Sequence, residues 1–131
     1  MKIVLDTNVY SAYRKGNPQI QSILESAITV YLPAIVLGEL YAGFFGGTHY
    51  EKNIADLITF LSKPGIEEMP VSHPIAERYG QLHADLRKRG RPLPTNDIWI
   101  AATALETGSR LITLDKHFEE VPGLVVHWPG N

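Results

Sequence analysis

Lys2-Ile3-Val4-Leu5-Asp6-Thr7-Asn8 is an apolar run that ends abruptly in three polar residues, and this stretch decides the fold. An apolar run without alternation predicts a strand that is buried on both faces, as in the interior of a parallel sheet. The same pattern returns near the other end of the chain, in Leu111-Ile112-Thr113-Leu114-Asp115. The sequence therefore predicts two buried strands, each ending at an aspartate.

Helical patterns alternate with the strand patterns. Further strands are predicted at 29–32, at 124–128 and, less clearly because Pro70 interrupts it, at 66–71. Apolar spacing predicts helices at 18–28, 34–45, 50–61 and 95–106, and a further amphipathic helix that contains Ile75, Tyr79, Leu82 and Leu86 and ends near Gly90. This alternation predicts an α/β fold, a three-layer α/β/α sandwich with a mostly parallel sheet of four or five strands.

Length and composition predict one globular domain over residues 1–131. Its 131 residues contain no linker, repeat or low-complexity tract. The absence of cysteine excludes disulfides, zinc–thiolate sites and thiol catalysis. The apolar run at the N-terminus is too short for a signal peptide or a membrane span, so we expect a cytoplasmic protein without a membrane partner.

Asp6 and Asp115 are predicted to face the same edge of the sheet. Both end predicted strands, and ligands of parallel α/β sheets bind beyond the carboxyl ends of the strands. Each also has an ordinary structural interpretation, since Asp6 suits a helix N-cap and Asp115 a turn or a partner for Lys116.

Glu39 and Asp97 lie on helices that are otherwise apolar. Glu39 is the only charged residue between Pro33 and Phe45, so no helical neighbour can pair with it, although it could face solvent at the rim. Asp97 falls in the first turn of a predicted buried helix, where the helix dipole also favours an anion. Because Thr95 or Asn96 can supply the cap, Asp97 is free for another role.

Four acids in one crevice without matching cations imply a bound cation. Like charges about 5 Å apart repel by roughly 3 kcal/mol per pair at an effective dielectric near 20. Carboxylate ligands select Mg²⁺ or Mn²⁺ over zinc, and a site of this kind suits phosphodiester cleavage by metal-activated water. The histidines show no ligand spacing and are expected to have surface or packing roles; they are His49, His73, His83, His117 and His127.

Four motifs in order resemble the PIN-domain family, and most closely the VapC-type toxin ribonucleases of toxin–antitoxin pairs. The motifs are Ile-Val-Leu-Asp6-Thr7-Asn8, Glu39-Leu-Tyr-Ala-Gly43, Asn96-Asp97-Ile-Trp-Ile-Ala-Ala102, and Leu-Ile-Thr113-Leu-Asp115-Lys-His-Phe118 followed by Val-Pro-Gly-Leu124. The resemblance covers almost the whole chain and implies a PIN-like α/β/α sandwich with Mg²⁺- or Mn²⁺-dependent endoribonuclease activity. It also implies a small cognate antitoxin as partner.

The resemblance assigns the catalytic and metal-binding roles to Asp6, Glu39, Asp97 and Asp115. It makes Thr7, Asn8 and Thr113 the residues that orient these acids. Within the family the fourth acid, here Asp115, is the most variable.

Two surface features extend this hypothesis. A net charge of −2 argues against a nucleic-acid partner, but cations bound at four acids would leave 12 basic against 10 acidic residues. A basic cluster precedes the predicted Asp97 helix, and it either binds RNA phosphates or is simply a solvated helix end; it comprises Arg87, Lys88, Arg89 and Arg91.

Aromatic residues of the early helices predict an antitoxin groove or a homodimer interface, with about half of them in the core; they are Tyr10, Tyr13, Tyr41, Phe44 and Phe45.

Two other functions use the same residues. A phosphatase with Asp6 as nucleophile normally has a second acid two residues later, where this chain has Asn8. A catalytically silent PIN-fold binding partner is the other alternative, but folding does not require four clustered acids.

Overall fold

The computed structural model describes residues 1–130 and contains five strands and six α-helices. The strands are β1 (Lys2–Leu5), β2 (Thr29–Pro33), β3 (Ile66–Met69), β4 (Arg110–Ile112) and β5 (Val126–His127). The helices are α1 (Thr7–Arg14), α2 (Pro18–Ser26), α3 (Ala34–Phe45), α4 (Tyr50–Leu61), α5 (His73–Lys88) and α6 (Thr95–Thr107). A short 3-10 helix (Lys116–Glu120) connects β4 with β5.

All five strands are parallel and form one sheet in the order β3-β2-β1-β4-β5. The central position of β1 explains its composition, since Ile3, Val4 and Leu5 are each completely buried. Helices flank this sheet, and α6 packs against both β1 and β4. The predicted α/β/α sandwich is confirmed.

The predicted helices 34–45 and 50–61 are α3 and α4 with the same boundaries. Helix α6 ends at Gly108, which adopts the left-handed conformation (φ 66°) that glycine favours. Helix α2 stops at Ser26, earlier than predicted, because Ala27 is extended and the Ile28 N–H donates to the Met1 carbonyl. Helix α1 and the 3-10 helix were not predicted as separate elements.

Three strands are shorter than predicted, and β3 is one of them, because it ends at Met69, before Pro70, which has no backbone N–H to donate. Strand β4 ends at Ile112 rather than Leu114, because the Leu114 N–H donates to Asn8 Oδ1 and not to a neighbouring strand. Strand β5 contains only Val126 and His127, since its predicted first residues follow the turn at Gly123 (φ 77°). The earlier end of β4 leaves Leu114 and Asp115 outside the strand at the carboxyl edge of the sheet, whereas the later start of β5 lies at the opposite edge.

Among residues 1–130, none of the helices combines the length and the apolar character needed to cross a membrane.

The 3-10 helix is held by Phe118, whose side chain is completely buried. We expect Phe118→Ala to lower the free energy of unfolding by about 3–5 kcal/mol, because it removes a large buried side chain and leaves a cavity. Urea unfolding of the metal-free protein measures this change. Phe45 is 63% exposed and is the matched control, for which the same substitution should cost less than about 1 kcal/mol. Equal losses in the two variants would contradict this description of the core.

Candidate active site

Asp6 lies at the junction between β1 and α1 and is only 6% exposed. Its Oδ1 accepts a hydrogen bond from the Thr7 backbone N–H (2.8 Å), and its Oδ2 accepts one from Thr113 Oγ1 (2.7 Å). Burial raises the pKa of Asp6, the two hydrogen bonds lower it, and the charges of Glu39 and Asp115 raise it further. The net result is a raised pKa, so the folded site disfavours a charge on Asp6.

Glu39 is connected to this junction through Thr7. The Thr7 hydroxyl donates to Glu39 Oε1 at 2.7 Å, which ties α3 to the first turn of α1. Among residues 1–130, no basic side chain forms an ion pair with Glu39. Its only side-chain hydrogen bond in that range comes from a neutral hydroxyl, and its charge is not compensated there.

Asp97 lies in the first turn of α6 and is half-buried. The expectation that Thr95 or Asn96 caps this helix is wrong, because the N-cap residue is Pro94 and no side chain accepts from the first turn. Thr95 and Asn96 fall inside the helix instead. The first N–H groups of α6 therefore keep their partial positive charge close to Asp97.

The pKa of Asp97 is raised to about 6. Burial is the largest cause, followed by the negative charges of Asp6, Asp115 and Glu39, while His117 lowers the pKa. The negative charges that raise the pKa of Asp97 thus come from the three other predicted site acids. The structure brings all four acids into one electrostatically coupled group at the carboxyl edge of the sheet.

Asp115 and His117 form one turn at this edge. Asp115 Oδ1 accepts from the His117 backbone N–H (2.9 Å) and lies 3.1 Å from His117 Nδ1. One ligand atom each of Asp97, Asp115 and His117 lie within 4.8 Å of one another, as the donors of a metal site do. His117 was expected to have a surface or packing role, and it is exposed. Its two-residue spacing from Asp115, in a tight turn, is the sequence signal for its position beside the acids.

The three predicted orienting residues each form a long-range hydrogen bond. Thr7 binds Glu39, and Thr113, which is completely buried, donates to Asp6 and accepts from the Asp115 N–H at 3.0 Å. Asn8 Oδ1 accepts from the Leu114 N–H at 3.3 Å. These bonds connect the β1–α1 junction to α3 and to the segment after β4.

Some acids elsewhere in the described chain have cationic partners. Asp56 pairs with Arg14 (3.0 Å) and Lys52 (3.3 Å), and Glu106 pairs with Arg78 (3.1 Å). Within residues 1–130, Asp115 has only the imidazole of His117, and Asp6, Glu39 and Asp97 have no ion pair. Other acids without an ion pair in that range are all exposed to solvent: Glu25, Glu51, Glu67, Glu68, Glu77 and Glu119. The acids of this edge differ from them because they are buried or half-buried without a cationic side chain.

The basic cluster divides into two pairs. Arg89 binds Asp85 (2.9 Å) and the Glu120 carbonyl (2.8 Å), and Arg91 lies 3.8 Å from a Glu120 carboxylate oxygen. Arg87 and Lys88 are exposed and form no ion pair with the residues described. Arg87 also lines a cavity of about 330 Å³ beside Ile98, the residue after Asp97.

The predicted aromatic surface is partly core. Tyr10 is buried and packs edge-on against Phe60 at 5.2 Å between ring centroids. On α3, Tyr41 lies 6.1 Å from both Phe44 and Phe45, and the exposed Phe45 contacts Tyr50 of α4 at 5.9 Å. An aromatic cluster of Tyr41, Phe44, Phe45 and Tyr50 thus remains partly open to solvent.

The donor set fits a hard divalent cation. It consists of carboxylate oxygens with one imidazole nitrogen nearby, and the chain has no thiol. Cation binding would offset the mutual repulsion that raises the pKa of Asp97. Such a site favours chemistry at a negatively charged centre, because the cation and the uncapped end of α6 both attract anions.

Comparison with known proteins agrees with this architecture. The PIN domain family model matches residues 3–124. Ribonuclease VapC1 of Haemophilus influenzae (strain R2866) is 33% identical, over 95% of this chain and 95% of its own.

Two solved structures share the fold over almost the full length. VapBC2 from Rickettsia felis, bound to a DNA fragment from its promoter, has a TM-score of 0.89 and 28% identity, covering 99% of this chain and 100% of that chain. VapBC-1 from nontypeable Haemophilus influenzae has a TM-score of 0.86 and 29% identity, covering 97% of both chains. Family model, relatives and fold agree, and this chain belongs to the PIN-domain family, among its VapC proteins.

Proposed function

We propose that residues 1–131 form a single nuclease domain, a metal-dependent endoribonuclease that acts as the toxin of a toxin–antitoxin pair. The observation that carries the proposal is the group of coupled acids without cationic partners at the carboxyl edge of the sheet. Relatives that bear the name ribonuclease VapC support RNA as the substrate. Family membership supports hydrolysis of RNA as the reaction, and we propose that the reaction takes place at the acidic edge of the sheet.

Asp6, Glu39, Asp97 and Asp115 are the proposed metal-binding and catalytic residues, with Mg²⁺ or Mn²⁺ as the cation. When bound, this ion supplies an activated water and neutralises charge on the leaving oxygen of the phosphodiester. His117 is a further candidate ligand, since its ring nitrogen lies within the group that contains Asp97 and Asp115.

The protein residues orient the site before substrate arrives. Thr113 and the Thr7 N–H fix both oxygens of Asp6, and the Thr7 hydroxyl fixes one oxygen of Glu39. Fixed carboxylates need no reorganisation when charge develops in the reaction. The first turn of α6 directs its N–H groups toward the same edge and favours the phosphate there.

Arg87 and Lys88 are the proposed RNA-binding pair, with Arg89 and Arg91 in a supporting role. The first two have no intramolecular ion pair among residues 1–130, so their charges are available to phosphates. Arg89 and Arg91 already bind Asp85 and Glu120, and they attach the end of α5 to the 3-10 helix.

The proposed protein partner is a small antitoxin, since the similar solved structures are VapBC assemblies. The open aromatic cluster of Tyr41, Phe44, Phe45 and Tyr50 is the surface that suits an amphipathic partner helix. A homodimer is the further assembly that we propose, and a cytoplasmic location follows from the same assignment as an RNA-cleaving toxin.

Asp97→Asn tests the proposed activity, because it keeps the shape of the side chain and removes one charge. We expect it to lower the rate of RNA cleavage by at least about a hundredfold. The wild-type protein should gain thermal stability on addition of Mg²⁺ or Mn²⁺, since a ligand of the folded state stabilises it by mass action. Asp97→Asn should lose most of that gain.

The control is Asp56→Asn, which removes an acid that pairs with Arg14 and Lys52. It should retain both RNA cleavage and the stabilisation by metal. If Asp97 were only a helix-start residue, Asp97→Asn would instead be less stable by up to about 1 kcal/mol and would keep both properties. That pattern would overturn the proposed site.

The raised pKa of Asp97 predicts a pH-dependent stability of the metal-free protein. The folded state binds this proton more tightly than the unfolded state, where the pKa is near 3.8, against about 6 when folded. The stabilisation from protonated Asp97 is therefore complete below about pH 4 and is lost as the pH rises to about 6. Urea unfolding of wild type and Asp97→Asn at several pH values isolates this contribution, and parallel profiles would contradict it.

Replacing Arg87 and Lys88 by glutamine should weaken RNA binding without abolishing cleavage at saturating RNA. Each lost phosphate contact should reduce the slope of log affinity against log salt by about 0.7 for a single strand. Fluorescence anisotropy with RNA and the Asp97→Asn protein measures that slope. The matched control replaces Lys2 and Arg110, exposed cations that begin β1 and β4 at the opposite edge. Equal effects of the two pairs would mean that binding is not localised at Arg87 and Lys88.

A further inference from the structure

Trp128 lies immediately beyond β5, at the same edge of the sheet as the proposed metal-binding acids. Its indole Nε1–H donates to the backbone carbonyl of Asp115 at 3.3 Å. The side chain nevertheless remains 36% exposed, which places an aromatic ring at the surface beside Asp115. The proposed function assigns no role to this ring.

The backbone on both sides of Trp128 is fixed. His127 belongs to β5, and its carbonyl accepts from the Thr113 N–H at 3.2 Å. Pro129 is buried, and Gly130 approaches the side chain of Gln19 so closely that a Cβ would collide with it. Trp128 is therefore held in place before any ligand binds, which lowers the entropic cost of binding.

Leu114 is a second exposed apolar residue next to Asp115. It follows β4, the strand that neighbours β5, and it is 42% exposed. Single exposed apolar residues are common on protein surfaces. Leu114 and Trp128, however, follow adjacent strands; Leu114 precedes Asp115 in the sequence, and Trp128 donates a hydrogen bond to the Asp115 carbonyl. Lys116, the next residue after Asp115, is exposed and forms no ion pair with the rest of the described chain. Trp128 and Lys116 thus place an exposed aromatic ring and an exposed cation next to Asp115.

We propose that Trp128 is a stacking residue for a nucleobase of single-stranded RNA, next to the phosphodiester that the acids act on. The inference rests on the proposed function. Unstacked bases of single-stranded RNA bind aromatic side chains by stacking, and this contact tolerates every base because each has a π-face. Continuity with the acidic site argues for RNA as the occupant. The indole hydrogen-bonds the backbone of Asp115, and a strand whose phosphate is held at these acids by a bound cation carries a base on the adjoining nucleotide.

Substitutions at Trp128 separate stacking from a merely structural role. Trp128→Phe keeps a stacking ring and loses the hydrogen bond to Asp115, whereas Trp128→Ala loses both. We expect Trp128→Ala to raise KM for a single-stranded oligoribonucleotide by about five- to a hundredfold, with little change in kcat. Trp128→Phe should keep KM within about threefold of wild type. A large fall in kcat for Trp128→Phe would mean that Trp128 only positions Asp115, and would overturn the proposal.

A second measurement leaves the protein unchanged. Each nucleotide that flanks the mapped cleavage position is replaced in turn by an abasic residue. One abasic position should raise KM for wild type but leave KM of Trp128→Ala unchanged, because the base and the ring contribute to the same contact. If every abasic position affected wild type and Trp128→Ala equally, no base would stack on Trp128.

The two tryptophans of the chain allow direct observation of binding. Trp99 stacks on Tyr79 at 3.9 Å, and phenylalanine at position 99 keeps an aromatic ring for that contact. Trp99→Phe in the inactive Asp97→Asn protein therefore leaves Trp128 as its only indole. Its fluorescence should be quenched on addition of the oligoribonucleotide; unchanged fluorescence with bound RNA would contradict stacking. Val125→Ala is the control for exposed apolar surface, since Val125 is 56% exposed at the other end of β5, and it should keep the KM of wild type.

These outcomes are distinguishable from failure of the proposed function. If the wild-type protein with Mg²⁺ or Mn²⁺ cleaves no RNA, the proposed activity itself is wrong. If it cleaves RNA while Trp128→Ala keeps the KM of wild type, only the stacking role is overturned.

Discussion

The hydrogen bond from Thr113 to Asp6 joins two residues that are 107 positions apart in the chain, and the acidic edge depends on it. Asp6 ends the central strand and caps α1, while Thr113 follows the neighbouring strand β4. The same hydroxyl accepts from the Asp115 N–H, so one buried threonine fixes the two aspartates that follow β1 and β4. Since β1 and β4 pair in register, the position of both acids follows from the sheet itself.

The site opposes the stability of the fold that positions it. Asp6 and Asp97 both have raised pKa values, chiefly from burial and then from the charges of the other acids. Asp56 on α4 shows the opposite arrangement, since Lys52 and Arg14 lower its pKa. Natural proteins keep local conflicts of this kind where function requires them, and here the conflict coincides with the edge at which α/β proteins bind ligands.

The elements that sequence predicted best are those in which burial and local pattern agree. Helices α3 and α4 have the predicted boundaries, and β1 is buried on both faces. Prediction failed where long-range contacts decide the local structure. Leu114 leaves the strand pattern because its N–H binds Asn8, and α6 begins after Pro94 without the side-chain cap that Thr95 or Asn96 offered. The proximity of His117 to Asp97 was not predicted for the same reason, since only the fold brings its ring toward Asp97.

The central strand and the edge strand of the sheet differ in how tightly they constrain the chain. Strand β1 is central and buried, whereas β5 is a two-residue edge strand, so residues after β5 can serve ligand binding without disturbing the core. The segment between β4 and β5 is attached to the core by Phe118 and to α5 by Arg89. Asp115 and His117 belong to this anchored segment, and Trp128 joins it from beyond β5, with hydrogen bonds from His117 and Trp128 both ending on Asp115. A ligand that contacts any one of these residues meets the others already in place, which is the physical condition for precise orientation at a surface site.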